Sequence, residues 1–338
     1  MKKHVIVSLL VSFSFAAMAQ TVALHRNGET QIFKGINSFV DANNAAQDGD
    51  TLYLSGHNFT APASFDKSLK IYGVGHLEEV TTATGKTYVN GNFALKQGAD
   101  NFLIEGIDFG NLSVENNKSV KNLTVKRCNI RGSITFTGTE HPTEDFLLVG
   151  SVIQATINVQ NTVRTLISNN IIIAQIHNTI ENIIKNNIFF SDFSSYTIVG
   201  SNNMILNNYF ARNNRYDKHY ICSGNGNVWY NNVFSHSSAD CGTNSDVQND
   251  WYSVEMQDFF VSKNGVSYNL ADDLHLQEPE VYIGEDGTQV GIYGGMYPYK
   301  VDAIPVIPYI ESVDIPHKVD ENGNLPVKIT VKAQNEQD

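Results

Sequence analysis

The sequence is short of cysteine, arginine and charge, and each shortage excludes a class of protein. Three Cys in 338 residues cannot all pair with one another, so the fold is expected to depend mainly on packing and backbone hydrogen bonds. Six Arg in a chain of formal net charge −12 make a poor nucleic-acid binder, because phosphate contacts supply most of that affinity. Polyanionic substrates would also be repelled unless a local basic patch exists.

Long apolar runs are missing after the first residues, which have the pattern of a secretory signal peptide. Lys2 and Lys3 precede the apolar run 5–15, and Ala17-Met18-Ala19 gives a small-x-small cleavage site before Gln20. The apolar run is too short to span a bilayer, and no transmembrane segment is predicted. We therefore expect cleavage near Ala19–Gln20 and export to the periplasm, the cell surface or the medium. The mature chain has 21 basic and 35 acidic residues, a formal net charge of −14.

Asparagine is abundant: 38 of the 338 residues are Asn, and 20 of these lie between positions 158 and 249. Asn is depleted in ordinary strands and favoured at turns. Related six-residue segments recur along the chain, among them Ile184-Lys185-Asn186-Asn187-Ile188-Phe189 and Ile205-Leu206-Asn207-Asn208-Tyr209-Phe210. Such repetition indicates stacked supersecondary units, each burying its apolar face against the next.

The fourth position of these segments sets the phase of the repeat. Spacings between successive positions are 21, 23, 19, 17, 21 and 24 residues, which suits one coil of three short strands. Inward Asn side chains at one turn can donate and accept along the stack, and small residues can occupy the same position. The predicted ladder follows Ile107 and comprises Cys128, Ser151, Asn170, Asn187, Asn208 and Asn232.

With Asn at the tight turn between the second and third strands, as at Asn187, Asn208 and Asn232, the chain resembles the right-handed parallel β-helix proteins of the pectate-lyase-like superfamily. The resemblance covers roughly residues 50–252 and implies an all-β, right-handed parallel β-helix. Leucine-rich repeats also stack Asn at a similar period. Their Leu framework is not matched here, because the corresponding positions are mostly Ile, Val and Phe.

Both ends of the predicted solenoid have distinct sequences. Apolar spacing over 36–46 predicts a helix that caps the first coil and protects its open edge. Five of the eight Pro lie at or beyond Pro298, and two strand-like runs, 309–313 and 327–333, flank the turn at 320–323. The predicted organisation is a signal peptide over 1–19, a β-helix over 20–298 and a strand-rich, hairpin-like tail over 299–338. The tail is either an edge cap or a surface for a protein partner.

The resemblance implies that substrate would lie on the outer face of the first strands. Alternation within these strands places a set of small and uncharged side chains outward. They are Thr135, Thr156, Asn158, Thr197, Tyr220 and Cys222. The acid pairs, Gly-His-Gly and Arg-x-Lys motifs of the related hydrolases and the clustered acids of the calcium-dependent lyases are not recognised in the sequence. The chain is predicted to be a polysaccharide lyase or glycoside hydrolase if it is an enzyme, with catalytic residues unknown.

One loop concentrates basic and aromatic side chains, a composition that suits a glycan. Together with His236 in the following loop, it supplies the candidate substrate-binding residues. These are Arg212, Arg215, Tyr216, Lys218, His219, Tyr220 and His236. The competing interpretation is a solvated loop with no ligand.

The remaining candidates concern cysteine and metals. Cys222 and Cys241 could form a disulfide that pins the later loop, as the oxidising environment outside the cytoplasm allows. Acidic turns such as 285–287 and 320–323 could suggest calcium, but turn chemistry explains them as well, so no cofactor or metal site is predicted. His57, His76 and His141 are expected at the surface.

Two functions remain open. One is an exported carbohydrate-interacting β-helix, which binds a polysaccharide or acts on it as a divergent lyase or hydrolase. The other is a non-catalytic structural or adhesive extracellular protein whose shaft is a spacer. Fold alone does not decide between them.

Overall fold

The computed structural model describes residues 20–190, 196–211 and 220–333. It is nearly all β and forms a parallel solenoid of about nine turns, which confirms the predicted β-helix. Each central coil contributes one strand to each of three sheets. We number these sheets in the order in which the chain visits them within a coil, so that the ladder turn lies between the second and third. No helix within the described residues is both long and apolar enough to cross a bilayer.

The strands are short because each coil turns after two to five residues. The first sheet comprises, in spatial order, Phe93–Leu95, Leu112–Val114, Ile134–Phe136, Ile157–Asn158, Ile176–Ile180, Ile198–Ser201 and Cys222–Ser223. The second sheet comprises Glu29–Lys34, Thr21–Arg26, Thr51–Leu54, Lys70–Tyr72, Leu103–Glu105, Thr124–Lys126, Leu147–Val149, Leu166–Ser168, Ile183–Lys185, Met204–Leu206, Val228–Tyr230 and Asp246–Gln248. The third sheet comprises Asn58–Thr60, Tyr88–Asn90, Asp108–Phe109, Asn129–Ile130, Val152–Ile153, Ile171–Ile172, Ile188–Phe189, Tyr209–Phe210 and Val233–Phe234. A separate parallel pair joins Thr143–Glu144 to Thr162–Val163.

The amino-terminal end is closed by a helix, as predicted, and by a hairpin that was not predicted. The helix spans Ser38–Ala45 and buries Phe39 against the aromatic rings of the first coils. Strand Thr21–Arg26 pairs antiparallel with both Glu29–Lys34 and Thr51–Leu54, so the hairpin extends the second sheet beyond the first coil. An Arg26–Asp50 ion pair fixes this hairpin to the shaft.

The predicted ladder is present and fully buried. The amides of Asn170, Asn187 and Asn208 each donate to the side-chain oxygen of the next coil's Asn, at 3.0–3.1 Å. The same oxygen accepts the backbone N–H of the preceding coil, which explains why an amide suits this position. Ser151 joins the ladder through its hydroxyl at 3.1 Å from the Cys128 backbone nitrogen. The ladder ends on Asp250, whose Oδ1 accepts from the Asn232 backbone at 2.7 Å.

A second, shorter ladder lies at the turn between the first and second sheets. The Oδ1 atoms of Asn182, Asn203 and Asn227 accept backbone N–H groups of the preceding coils at 2.9–3.2 Å. Each of these Asn stands five residues before an Asn of the main ladder (187 − 182, 208 − 203 and 232 − 227). That constant offset is the sequence signal by which this ladder could have been found.

Residues 254–303, which we call the strap, run back along the outer face of the third sheet. Within the strap are the helix Met256–Phe259, the antiparallel strands Phe260–Ser262 and Asp273–Leu276, and the 3₁₀ turn Val301–Ala303. The Asn that precedes each Asn of the main ladder adopts positive φ and bonds the strap, as when Asn169 donates to the carbonyls of Ile292 and Gly294 at 2.8 and 2.7 Å. Beyond the strap, Tyr309–Asp314 and Lys328–Lys332 pair as an antiparallel hairpin.

The predicted orientation of Cys222 is wrong. Cys222 aligns with the inward Ile198 in the first sheet and is fully buried, because this coil enters its strand one residue later than simple alternation assumes. Cys241 is also buried, in the same core cluster. The sequence allowed a disulfide between Cys222 and Cys241 without deciding it. In this structure both are free thiols.

Candidate functional site

The outer face of the first sheet carries two adjacent columns of outward side chains, which we call the polar face. One column follows the strand register and is partly exposed throughout: Ala94, Ser113, Thr135, Asn158, His177, Val199 and Ser223. The other lies one residue before the inward positions and comprises Asn111, Ser133, Thr156, Gln175 and Thr197, of which Gln175 and Thr197 are buried. Neither column contains Asp, Glu, Lys or Arg. The uncharged surface predicted from alternation therefore exists, apart from Cys222.

An aromatic pair closes one end of the polar face. The rings of Tyr196 and Tyr220 lie 5.0 Å apart at 50°, and Tyr220 is 40% exposed. Gln175 donates to the Tyr196 carbonyl at 2.7 Å, and its Oε1 lies 3.2 Å from His177 Nε2. The face thus presents hydroxyl, amide, imidazole and phenol groups without a fixed charge.

The predicted basic–aromatic loop is only partly placed. Arg212, Arg215, Tyr216, Lys218 and His219 lie outside the described residues. Tyr220, the next residue, is exposed beside the polar face. His236 is 5% exposed, and its backbone carbonyl accepts the Ser253 N–H at 2.8 Å. No described contact tests its predicted role in ligand binding, which stays a prediction.

A concave site that was not predicted from the sequence lies apart from the polar face. It is a cleft of about 400 Å³ on the outer face of the third sheet, which we call the charged cleft. Its lining is His76, Leu77, Glu78, Glu79, Lys86, Asp108, Asn129, Val152, Gln154, Ile173, Tyr268 and Leu270. The expectation that His76 is a surface residue is wrong: it is 3% exposed, and burial lowers its pKa to about 4.

Metal ligands do not cluster in the part of the chain that the structure describes, where no group of three or more His, Cys, Asp or Glu side chains could hold an ion. The acidic turns instead bond their own backbone. Asp286 accepts the Thr288 N–H at 3.1 Å, and Asp320 accepts those of Asn322 and Asn324 at 2.9 and 2.8 Å.

Comparisons with protein-family models, curated proteins and solved structures found no match for this chain. Its function must therefore be inferred from the two surfaces themselves.

Proposed function

We propose that this is an exported β-helix protein that binds a polysaccharide along the polar face. The observation that carries the proposal is the uncharged double column, most of whose side chains carry a hydroxyl or an amide, closed at one end by Tyr196 and Tyr220. Sugars are bound by planar polar groups that fix their hydroxyls and by aromatic rings that stack on them. Seven strands about 4.8 Å apart give a straight surface roughly 29 Å long, which suits an extended chain of sugars.

The resemblance to the pectate-lyase-like superfamily supports the same location, since ligands of that superfamily lie on the outer face of the first strands. Export is supported by the signal-like residues 1–19, which lie outside the described residues. Amino-terminal sequencing of protein recovered outside the cytoplasm should begin at Gln20, and a chain that retains Met1 would contradict export through this signal.

Binding is favoured over catalysis because neither column of the polar face offers a carboxylate pair. Glycoside hydrolysis ordinarily uses two carboxyl groups on either side of the scissile bond. Eliminative cleavage needs a base together with a cation that stabilises the developing anion. A lyase or hydrolase would therefore have to draw its catalytic groups from outside these columns, for example from the loop that contains Arg212 and Arg215.

The test is a screen of neutral and uronate-containing polysaccharides that measures binding, unsaturated product and new reducing ends in parallel. We expect binding without product, and we expect Tyr196→Ala/Tyr220→Ala to weaken it about tenfold or more, as loss of stacked aromatic contacts does. Tyr53→Ala is the matched control, because Tyr53 stacks on Tyr72 in another exposed aromatic pair, 5.6 Å apart on the second sheet. If product forms, and its formation is lost in Arg212→Ala/Arg215→Ala, the protein is an enzyme rather than a binding protein. Absence of any binding would overturn the proposal.

The structural or adhesive alternative is favoured by one observation, the apolar face of the tail hairpin. Ile329 and Val331 are 55% and 59% exposed, and they pair with Val313 and Ile310. An isolated two-stranded hairpin is only marginally stable in water, so a partner surface would stabilise it. Loss of cell-surface adhesion in Ile329→Lys/Val331→Lys, with glycan binding absent from the wild type, would favour this alternative.

A further inference from the structure

The charged cleft lies where the strap stops covering the third sheet. One column of outward side chains runs through that sheet in register. From the amino-terminal end it is Asn58, Tyr88, Asp108, Asn129, Val152, Ile171, Ile188, Tyr209 and Val233. The apolar members from Val152 onward lie in a core cluster with the strap, and the cleft opens over Asp108 and Asn129. Residues Tyr268 and Leu270 of the strap form one wall.

Two cations share one buried carboxylate at the floor of this cleft. Asp108, whose side chain is 2% exposed, accepts from Lys86 Nζ at 2.8 Å and from Arg131 Nε at 2.7 Å. The guanidinium is held further by the Val89 carbonyl at 3.0 Å and by the Tyr88 ring, whose centroid is 4.3 Å away. The Arg131 guanidinium is thus held by groups of the protein itself. Lys86 is 31% exposed and retains donors beyond the one used on Asp108. Because Lys86 and Arg131 carry two positive charges and Asp108 one negative charge, the floor has one positive charge in excess.

Asn129 supplies an amide donor beside this charge. Asn129 uses its Oδ1 to accept from Gln154 at 2.8 Å, which leaves the Asn129 amide N–H groups to donate into the cleft. The Nε2 atom of His76 is buried in the lining without a hydrogen-bond partner among the described residues. A buried polar atom of this kind costs free energy unless a ligand or water satisfies it. Glu78 and Glu79 stand exposed at the rim, where water screens them.

We propose that the charged cleft binds a small molecule through its carboxylate, which accepts from Lys86 and Asn129. A carboxylate offers several acceptor sites and one negative charge, matching the donors and the excess charge of the floor. The volume of about 400 Å³ accommodates a monosaccharide or an amino acid. The carboxylate could belong to a sugar acid or to an α-amino acid, whose ammonium group would then face Glu78 and Glu79. This site is on a different sheet from the polar face and does not depend on glycan binding there.

Calorimetric titration of the full chain with glucuronate, glucose and alanine tests the proposal. Glucuronate and glucose differ by a carboxylate at one carbon, so glucuronate should bind at millimolar concentration or below and glucose should bind at least about tenfold more weakly. Binding of alanine in place of glucuronate would identify an amino acid as the source of the carboxylate. Equal affinity for glucose and glucuronate, or binding of neither acid, would overturn the proposal.

Two variants separate the cleft from folding. Lys86→Met removes the ammonium, while Asn129→Asp keeps the side-chain shape and replaces a donor by a charge that repels a carboxylate. Each should weaken binding of the carboxylate about tenfold or more while the thermal midpoint stays within a few degrees of the wild type. Lys96→Met removes an equally charged, exposed side chain outside the cleft and should leave binding unchanged. Undiminished binding in both cleft variants would refute the assignment.

Discussion

The two halves of the third sheet's outer face show how one surface of a solenoid becomes either core or site. Towards the carboxyl end, Ile188 and Tyr209 are buried beneath the strap. Towards the amino end, Tyr88 and Asp108 occupy the same column, but the strap is replaced by an open cleft with ion pairs at its floor. Because the backbone is the same in both halves, the identity of the outward side chain decides which half the strap can cover.

The largest effect is expected when an aromatic ring is removed from the covered half. Tyr209 is fully buried, stacks on Phe259 at 4.5 Å and donates to the Val254 carbonyl at 2.9 Å. Tyr209→Ala should lower the free energy of unfolding by about 3–5 kcal/mol, because it leaves a cavity under the strap. Tyr88→Ala, at the same column in the open half, should lower it by about 1 kcal/mol through loss of cation–π contacts. Urea denaturation measures both, and equal losses would show that the halves do not differ in this way.

A buried ion pair in the strap can be compared in the same way with an exposed ion pair in the tail. Lys263 and Asp272 form an ion pair at 2.9 Å with side chains 1% and 0% exposed, and the ammonium also donates to the Ser267 carbonyl at 2.7 Å. Lys263→Met leaves the buried carboxylate unpaired, so we expect a loss of about 3 kcal/mol and faster hydrogen exchange around Tyr268. Lys332→Met, which breaks an exposed pair with Glu311, should hardly change stability. A Lys263→Met protein as stable as the Lys332→Met protein would show that the loop does not need its ion pair.

Two buried groups, one at the end of the main ladder and one in the charged cleft, should respond to pH with opposite sign. Burial raises the pKa of Asp250, at the end of the main ladder, to about 6, whereas this group titrates near 4 when unfolded. Its stabilisation is therefore complete below about pH 4 and is lost as the pH rises through 6. Burial lowers the pKa of His76, in the cleft, to about 4 from near 6.5, so its stabilisation is complete above about pH 6.5 and is lost as the pH falls through 4.

Each of these opposing contributions to the free energy of unfolding is worth about 2–3 kcal/mol. Single substitutions can separate them. Asp250→Asn supplies the amide that the ladder otherwise uses, and should raise the free energy of unfolding at pH 8 and leave it nearly unchanged at pH 4. The Asp250→Asn protein should still lose stability as the pH falls from 6.5 to 4, and adding His76→Gln should remove that loss. Urea titrations at several pH values measure both, and parallel pH profiles for the wild type and Asp250→Asn would contradict the role of Asp250.

The coils were predictable because the ladder is a nearly local pattern. Asn187 and Asn208 are 21 residues apart, and their environments are alike, so one repeat predicts the next. The strap was not predictable, since Asn169 meets Ile292 across 123 residues with no repeated signal. The cleft was missed for the same reason: His76, Asp108 and Tyr268 come from unrelated segments, and each alone resembles a surface residue. The error at Cys222 has another cause, because a strand of two residues gives too little alternation to fix its phase.

The smallest expected effect tests why Asn precedes the main-ladder Asn in the coils that the strap covers. Asn169 adopts a φ of 57° and donates to two strap carbonyls. Gly150, at the same turn one coil earlier, has a φ of 59°, and its surroundings leave room for a side chain, since the nearest atom to an added Cβ would be Arg127 Cγ at 3.6 Å. Asn169→Gly keeps a backbone that tolerates positive φ and removes the strap bonds, so stability should fall by about 1–2 kcal/mol. The reciprocal Gly150→Asn should change stability by less than about 0.5 kcal/mol, since Asn tolerates this conformation. If both substitutions had the same effect, measured by urea denaturation, the outward Asn would serve the turn alone and the strap would be held by its apolar contacts.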